Sequence, residues 1–406
     1  MNMLFADRVS SDEAGIFSVL QQKKIALLSR KEEVFDMSIG TPDFTPPPHV
    51  VEAMLKACKD PKNYKYAICD LPELSKAMIE HYFRHFGVSL NSNNVMSVNG
   101  SQEGLAHICF ALCNPGDIVL VPDPGYPIFK DGPRLAGARI CGYPLRKENN
   151  FLADLKNIPE STAFKAKAMI VSYPLNPVGV TAPDKFYEEL IAFAKKYNII
   201  IIHDNAYADI VFSKQTRKSF LAYEGAKEVG IELFSLSKTY NLTGARIAFV
   251  VGNEAIIRKF AKLRSLIDYG VFIPIQHAAI AALNGDQSLV SQQCAEYEKR
   301  AKLLCKGFQE LGWTVPAPAG SIFVWAPIPA HYRDAIQFSD ALMEKAGIIC
   351  TPGDCFGDLG KGYVRFSLVL DVPAIKAALN SLRKSKILKP EQRVNLPVVS
   401  SDTVTV

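Results

Sequence analysis

Short runs of branched apolar residues alternate with longer amphipathic stretches through the middle of this chain. VMSV (95–98), DIVLV (117–121), ARICGY (138–143), KAMIVSY (167–173), NIIIIHD (198–204), IELFSLS (231–237) and ARIAFVVG (245–252) read as strands. Ser101–Leu112 and Pro183–Tyr197 read as helices between them. NIIIIHD has no polar alternation, which predicts a strand buried on both faces of its sheet. Strand and helix alternating over about 150 residues predict an α/β fold with a mainly parallel central sheet sandwiched by helices.

The flanks read differently. A polar start leads into an amphipathic helix around Gly15–Ser29. Prolines 42, 46, 47 and 48 then impose an extended turn, and Pro48 is suited to open the next helix. A further helix covers 73–86. Beyond a long helical region (254–312), WTVPAP, SIFVWAPI, GIICTPG and YVRFSL are short strands separated by helices at about 334–346 and 372–386. This predicts a second, smaller α+β domain. The expected organisation is an N-terminal segment (1–45) packing with the small domain, a large ligand-binding domain (46–285), the small C-terminal domain (286–390) and a loose tail (391–406).

Composition narrows the function. Lys plus Arg is 46 against 41 for Asp plus Glu, a net charge of +5 with no basic block, so nucleic acid is not expected as a partner. No apolar run approaches the roughly 20 residues of a membrane helix, and the N-terminus lacks a charged region followed by an apolar one. The nine cysteines include no Cys-x-x-Cys pair, which argues against a zinc site and suits a reducing compartment, so a cytoplasmic protein is expected. No metal is expected.

Open α/β sheets bind ligands at the carboxyl ends of their strands, and polar residues gather there. VMSV is followed by Asn99, Gly100, Ser101 and Gln102 and then a helix, an arrangement suited to a phosphate. Ser101 as a simple N-cap is the bland reading. Asp204 ends the most apolar strand, where its charge needs a partner such as a protonated ring nitrogen; a helix-capping Asp is the alternative. His203 beside it is read as packing against the sheet. In SLSKTYNLTGARIAF, Lys238 sits where the sheet meets a loop, among hydroxyls. A lysine that can lose its proton there can form a Schiff base with an aldehyde, whereas the plain alternative is a surface lysine. Ser235, Ser237 and Arg246 are placed to hold phosphate oxygens.

Taken in order, these segments resemble the fold-type-I, class I/II aminotransferase family over about residues 36–385. The resemblance implies pyridoxal 5'-phosphate as cofactor. GSQEG resembles the family's phosphate-binding turn, with the backbone of Ser101 and Gln102 on the phosphate. PDPGYP supplies Tyr126 to stack on the pyridine ring. YPLNPVG supplies Asn176, and HDNAY supplies Tyr207, both toward the phenolic oxygen. Asp204 takes the ring nitrogen, SLSK supplies Lys238 as the catalytic lysine, and Ser235 and Arg246 complete the phosphate site. YVRFS places Arg365 on the substrate α-carboxylate, as a bidentate guanidinium suits. SIGTPDF places Gly40 near the same carboxylate, beside Asn176. In NYKYAICDLPEL, Tyr66, with Tyr64 as fallback, would reach the phosphate of a partner subunit, although Asp70 stands where that segment usually has glycine. The family implies a homodimer with shared sites.

The implied reaction is transfer of an amino group from an α-amino acid to a 2-oxo acid, with Lys238 moving the proton. Two stretches, GSQEGLAHICFALCNPGDIVLVPDPGYPIF and LIDYGVFIPIQHAAIAAL, are similar to the LL-diaminopimelate aminotransferase branch. That points to LL-2,6-diaminopimelate as donor and 2-oxoglutarate as acceptor. Gln102 and Leu175 depart from that branch, which often has lysine and asparagine there. Alanine, aspartate or another amino acid therefore stays open as donor, as does a carbon–sulfur lyase on the same scaffold. A ligand-sensing regulator would need a DNA-binding domain, for which about 35 residues before the first motif leave no room. No Gly-x-Gly-x-x-Gly follows a strand, which speaks against a nicotinamide enzyme.

Overall fold

Seven strands form one sheet in the order β2-β8-β7-β6-β5-β3-β4. They are β2 (Val95–Val98), β3 (Ile118–Asp123), β4 (Arg139–Pro144), β5 (Ala166–Val171), β6 (Ile200–Asp204), β7 (Gly230–Ser235) and β8 (Ala248–Gly252), with β1 (Phe35–Asp36) lying outside the sheet. The structure, a computed structural model, describes residues 5, 6, 8, 16–29, 33–213 and 215–389, and only the backbone of 16–18. The expected tail, 391–406, and Gly15 at the start of the first expected helix lie outside the described residues.

β8 is antiparallel to both its neighbours, and the other six strands run in one direction. The fold is α/β with a mainly parallel sheet, as the alternation of apolar runs predicts. Side chains alternate between the two faces of a strand. Accordingly Ile201, Phe234, Phe249 and Val251 join one hydrophobic core, while Ile202, Leu233, Ala248 and Val250 join the core on the other face.

A smaller antiparallel sheet follows, built from β9 (Phe323–Pro327), β11 (Thr351–Pro352) and β12 (Tyr363–Ser367) in the order β11-β12-β9. β10 (Ile348–Ile349) instead pairs in parallel with β1. The backbone N–H of Ser367 donates to Met37 O at 2.7 Å, so the N-terminal segment is stitched to the smaller sheet. Phe35 and Met37 enter the third core with Trp313, Phe338 and Phe366.

Several boundaries differ from the sequence reading, each for a local reason. WTVPAP is not a strand; it carries two prolines, and its tryptophan docks into the core by donating to Pro327 O at 2.7 Å. IELFSLS stops as a strand at Ser235, whose hydroxyl accepts from Ser237 N and caps the single helical turn Leu236–Thr239. The region 254–312 breaks into helices Glu254–Arg264, Ile273–Asn284 and Ser288–Glu310, with Pro274 near the start of the second.

Candidate active site

The carboxyl ends of five strands of the large sheet and the beginning of β8 converge on one cleft of about 440 Å³. β2 ends at Val98, and the turn Asn99–Gly100 leads into helix Ser101–Leu112. Gly100 adopts φ 91°, and a Cβ at that position would fall on the Arg246 guanidinium. Only glycine therefore lets the arginine lie against the helix N-terminus, where free N–H groups and the helix dipole favour an anion. β8 runs against the others, so its beginning, not its end, lies at this edge. Arg246, two residues before β8, reaches the cleft for that reason, from a left-handed backbone (φ 55°).

Tyr126 follows the exit of β3, and its hydroxyl donates to Gln102 Oε1 at 3.2 Å. Asn176 follows β5, Asp204 ends β6, and Ser235 ends β7 just before the turn that carries Lys238. Tyr207 packs edge-on against Phe323 at 5.6 Å. Arg365 comes from β12 and is almost wholly buried. Its Nη1 donates to Asn176 Oδ1 at 2.9 Å and its Nη2 to Ser38 O at 2.8 Å. Phe323 and Phe356 flank its guanidinium, with ring centroids 4.1 and 4.8 Å away. These contacts hold the planar fork in one orientation, which bidentate recognition of a carboxylate requires.

Lys238 Nζ donates to Gly40 O at 2.5 Å. Its backbone carbonyl accepts from Gln293 Nε2 at 2.8 Å, so helix Ser288–Glu310 steadies the turn from behind. Burial, helped by the positive charges of Arg365 and Arg246, lowers the lysine pKa to about 8. Asp204 is shifted the other way. Burial raises its carboxyl to about 6, against the lowering effects of His203 and the Ala206 backbone. Its Oδ1 is buried with no hydrogen-bond partner. Burial lowers the Arg365 pKa to about 10, which leaves it charged at neutral pH. Three cations thus face one carboxylate across the cleft, a field suited to a ligand with two anionic groups.

His203 faces away from the cleft. Its Nδ1 donates to Glu232 at 2.8 Å, and that buried carboxylate also accepts from Tyr82 Oη, Ser219 Oγ and Phe220 N, each at 2.8 Å. Among the described residues no group of three or more His, Cys, Asp or Glu could hold a metal.

Gly40, Ser101, Gln102, Tyr126, Asn176, Asp204, Tyr207, Ser235, Lys238, Arg246 and Arg365 all line the cleft, and Ser237 joins them. Tyr66 does not: it stands 79% exposed, with its ring 4.9 Å from that of Tyr269. Tyr64 is also exposed, but its hydroxyl donates to Cys58 O at 3.0 Å within its own segment. Asp70 accepts from Ser97 N at 2.7 Å and Ser97 Oγ at 2.5 Å, fastening the same segment to the sheet edge. Leu175 is buried in the core and does not line the cleft, whereas Gln102 does. Sequence reasoning passed over Phe323, Phe356, Ser38 and Gln293. Phe323 lies in an apolar strand that reads only as core, Phe356 in a glycine- and aspartate-rich loop that carries no motif, and Ser38 acts through its backbone.

The family model for aminotransferase class I and II matches residues 32–382. An LL-diaminopimelate aminotransferase of Halothermothrix orenii is 42% identical over 386 residues, covering 94% of this chain and 98% of that protein. One from Desulforudis audaxviator is 40% identical over 385 residues, covering 94% and 98%. Among solved structures, substrate-bound BacF from Bacillus subtilis superposes with a TM-score of 0.91 at 37% identity, covering 97% of this chain and 100% of that one. A probable N-succinyldiaminopimelate aminotransferase from Thermus thermophilus gives 0.86 at 32% identity, covering 91% and 100%. With the cleft's lysine, aspartate and arginines lying within the matched span, the chain belongs to the class I and II aminotransferases.

Proposed function

We propose that the cleft holds pyridoxal 5'-phosphate on Lys238 and moves an amino group from LL-2,6-diaminopimelate to 2-oxoglutarate. The carrying observation is the pairing of a buried lysine of lowered pKa on one strand exit with a buried carboxylate lacking a partner at Oδ1 on the next. A protonated pyridine nitrogen fits that orphaned oxygen, and the Gly100–Ser101 turn with Ser235 and Arg246 fits a phosphate. Bound there, the cofactor would supply an aldehyde for covalent attachment and a cationic ring that draws electrons from the substrate Cα.

The protein's own groups do the rest. Asp204 keeps the ring nitrogen protonated. Arg365, with Gly40 and Asn176 beside it, orients the α-carboxylate. Asn176 Oδ1 is engaged by Arg365, which leaves its Nδ2 amino group to donate to the phenolic oxygen with Tyr207. Lys238 would hold the cofactor covalently and, as a free neutral amine, would move the proton at the substrate Cα. Tyr126 covers one face of the ring.

The named relatives support diaminopimelate as donor. Neutral Gln102 in the cleft favours a second reading, a donor with an uncharged side chain. A screen of amino donors with 2-oxoglutarate, scored by glutamate formation, separates them. Diaminopimelate should lead in kcat/KM, and a leading neutral amino acid would give the second reading. Glutamate formed from no donor would defeat both.

The assembly is a homodimer in this reading, with Tyr66 completing the partner's phosphate site. Support comes from exposed apolar side chains on the two segments that meet there: Tyr66 packs on Tyr269, and their chain neighbours Ile68 and Leu266 are 77% and 73% exposed. Among the described residues no helix is long and apolar enough to cross a membrane. The nine cysteines are free thiols, which fits the cytoplasm.

A further inference from the structure

The loop that joins β11 to β12 leans on the exit of β3, and one carboxylate holds it there. Asp123, the last residue of β3, accepts from Leu359 N at 3.1 Å through Oδ1 and from Asp358 N at 3.2 Å through Oδ2. These are backbone N–H groups at the start of the short turn Asp358–Gly360, so Asp123 caps that turn from another part of the fold. Two residues later in the chain, Gly125 N donates to Phe356 O at 2.8 Å. Gly357, between the two anchored stretches, has φ 129°, and a Cβ on it would fall on the Asp123 carboxylate. Glycine at that position lets the loop come close enough for the hydrogen bonds to form.

Both ends of this clamp carry residues of the cleft. On one side, Asp123 is three residues before Tyr126. On the other, the Phe356 ring packs 4.8 Å from the Arg365 guanidinium, and Trp325 meets Phe356 edge-on at 5.7 Å. We propose that Asp123 is a positioning residue for the α-carboxylate grip: by capping the 357–360 turn it holds Phe356 against Arg365 and sets the guanidinium's distance from the Tyr126 turn. Asp123 does not line the cleft itself. Its effect is transmitted through the loop, so it should act on ligands that have a carboxylate and spare those that do not. The inference rests on Arg365 being the carboxylate grip.

Two small ligands of the cofactor-loaded enzyme isolate that effect. 2-Methylalanine has an α-carboxylate but no α-hydrogen, so it binds without being transaminated. tert-Butylamine carries a methyl group in place of that carboxylate and likewise has no hydrogen on the amine-bearing carbon. Each can be titrated by the change in visible absorbance. Asp123→Ala should weaken 2-methylalanine about tenfold, the order expected for loosening a charge-assisted contact, and leave tert-butylamine unchanged. Asp123→Asn, which keeps one acceptor oxygen, should recover part of the loss. Gly357→Ala displaces the same carboxylate while leaving it present, and should reproduce the selective loss even if Asp123→Ala fails to fold. Equal weakening of both ligands, or weakening of neither, would overturn the proposal. Arg365→Ala serves as the control. If it weakens 2-methylalanine while Asp123→Ala does not, the clamp alone is wrong; if it does not, the reading of Arg365 is wrong as well.

Discussion

Arg365 and Asn176, 189 positions apart in the chain, meet through a 2.9 Å hydrogen bond from Nη1 to Oδ1 inside the cleft. The bond ties the proposed carboxylate grip to the proposed phenolic-oxygen donor, so one cannot shift without the other. Replacing Arg365 with lysine keeps the charge but loses the planar fork and its grip on Asn176 and Ser38. KM for amino acid and for oxo acid should both rise, on the order of tenfold to a hundredfold. Steady-state kinetics with each substrate varied in turn check this, and an unchanged KM for either would place its carboxylate elsewhere.

The Lys238 amine should titrate well below an ordinary lysine. Burial disfavours its charged form, and Arg365 and Arg246 add repulsion, giving a pKa of about 8. The neutral, reactive amine is then the majority species above that pH. In cofactor-free protein, acetic anhydride labelling of Lys238 read by peptide mapping should reach half its maximal rate near pH 8. A midpoint beyond 10 would mean that the amine is solvated.

Asp204 predicts a stability effect of opposite sign to its usefulness. Its pKa rises from 3.8 to about 6 on folding, so the folded chain binds the proton more tightly than the unfolded one. Stability therefore falls as pH rises through that window, and the full cost persists above it. Asp204→Asn removes the charge. At pH 7 the cofactor-free variant should be more stable than wild type by on the order of 2–3 kcal/mol, and the gap should close below about pH 4. Urea melts across this range test it, and parallel curves would contradict it. The same variant should lose transaminase activity.

Much of this architecture could be read from the chain, and the limits have physical causes. NIIIIHD carries four consecutive isoleucines because β6 is central and covered on both faces, so both its place in the sheet and the isolation of Asp204 at its end were visible. Lys238 and Arg246 were visible through their motif spacing. How Arg246 reaches the cleft was not, because the direction of β8 is set by pairing with distant strands. Asp123 sits inside PDPGYP, yet its partners are backbone N–H groups 235 and 236 residues away, which carry no side-chain signature. WTVPAP misled because tertiary docking of Trp313, not strand pairing, fixes it.

Gly100 offers a test of the phosphate cradle. Alanine there must adopt φ 91° and place its Cβ on Arg246. Gly100→Ala should cost about 1–3 kcal/mol of stability from backbone strain. It should also weaken pyridoxal 5'-phosphate more than it weakens pyridoxal, which has no phosphate. Equal weakening of the two would remove Gly100 and Arg246 from the phosphate site.

The most direct test of the central claim is chemical. Purified protein is incubated with pyridoxal 5'-phosphate, reduced with borohydride, digested and mapped by mass spectrometry. The pyridoxyl label should fall on Lys238, and Lys238→Ala should take up cofactor without becoming labelled there or turning over. A label spread over surface lysines, or full activity in Lys238→Ala, would contradict the account.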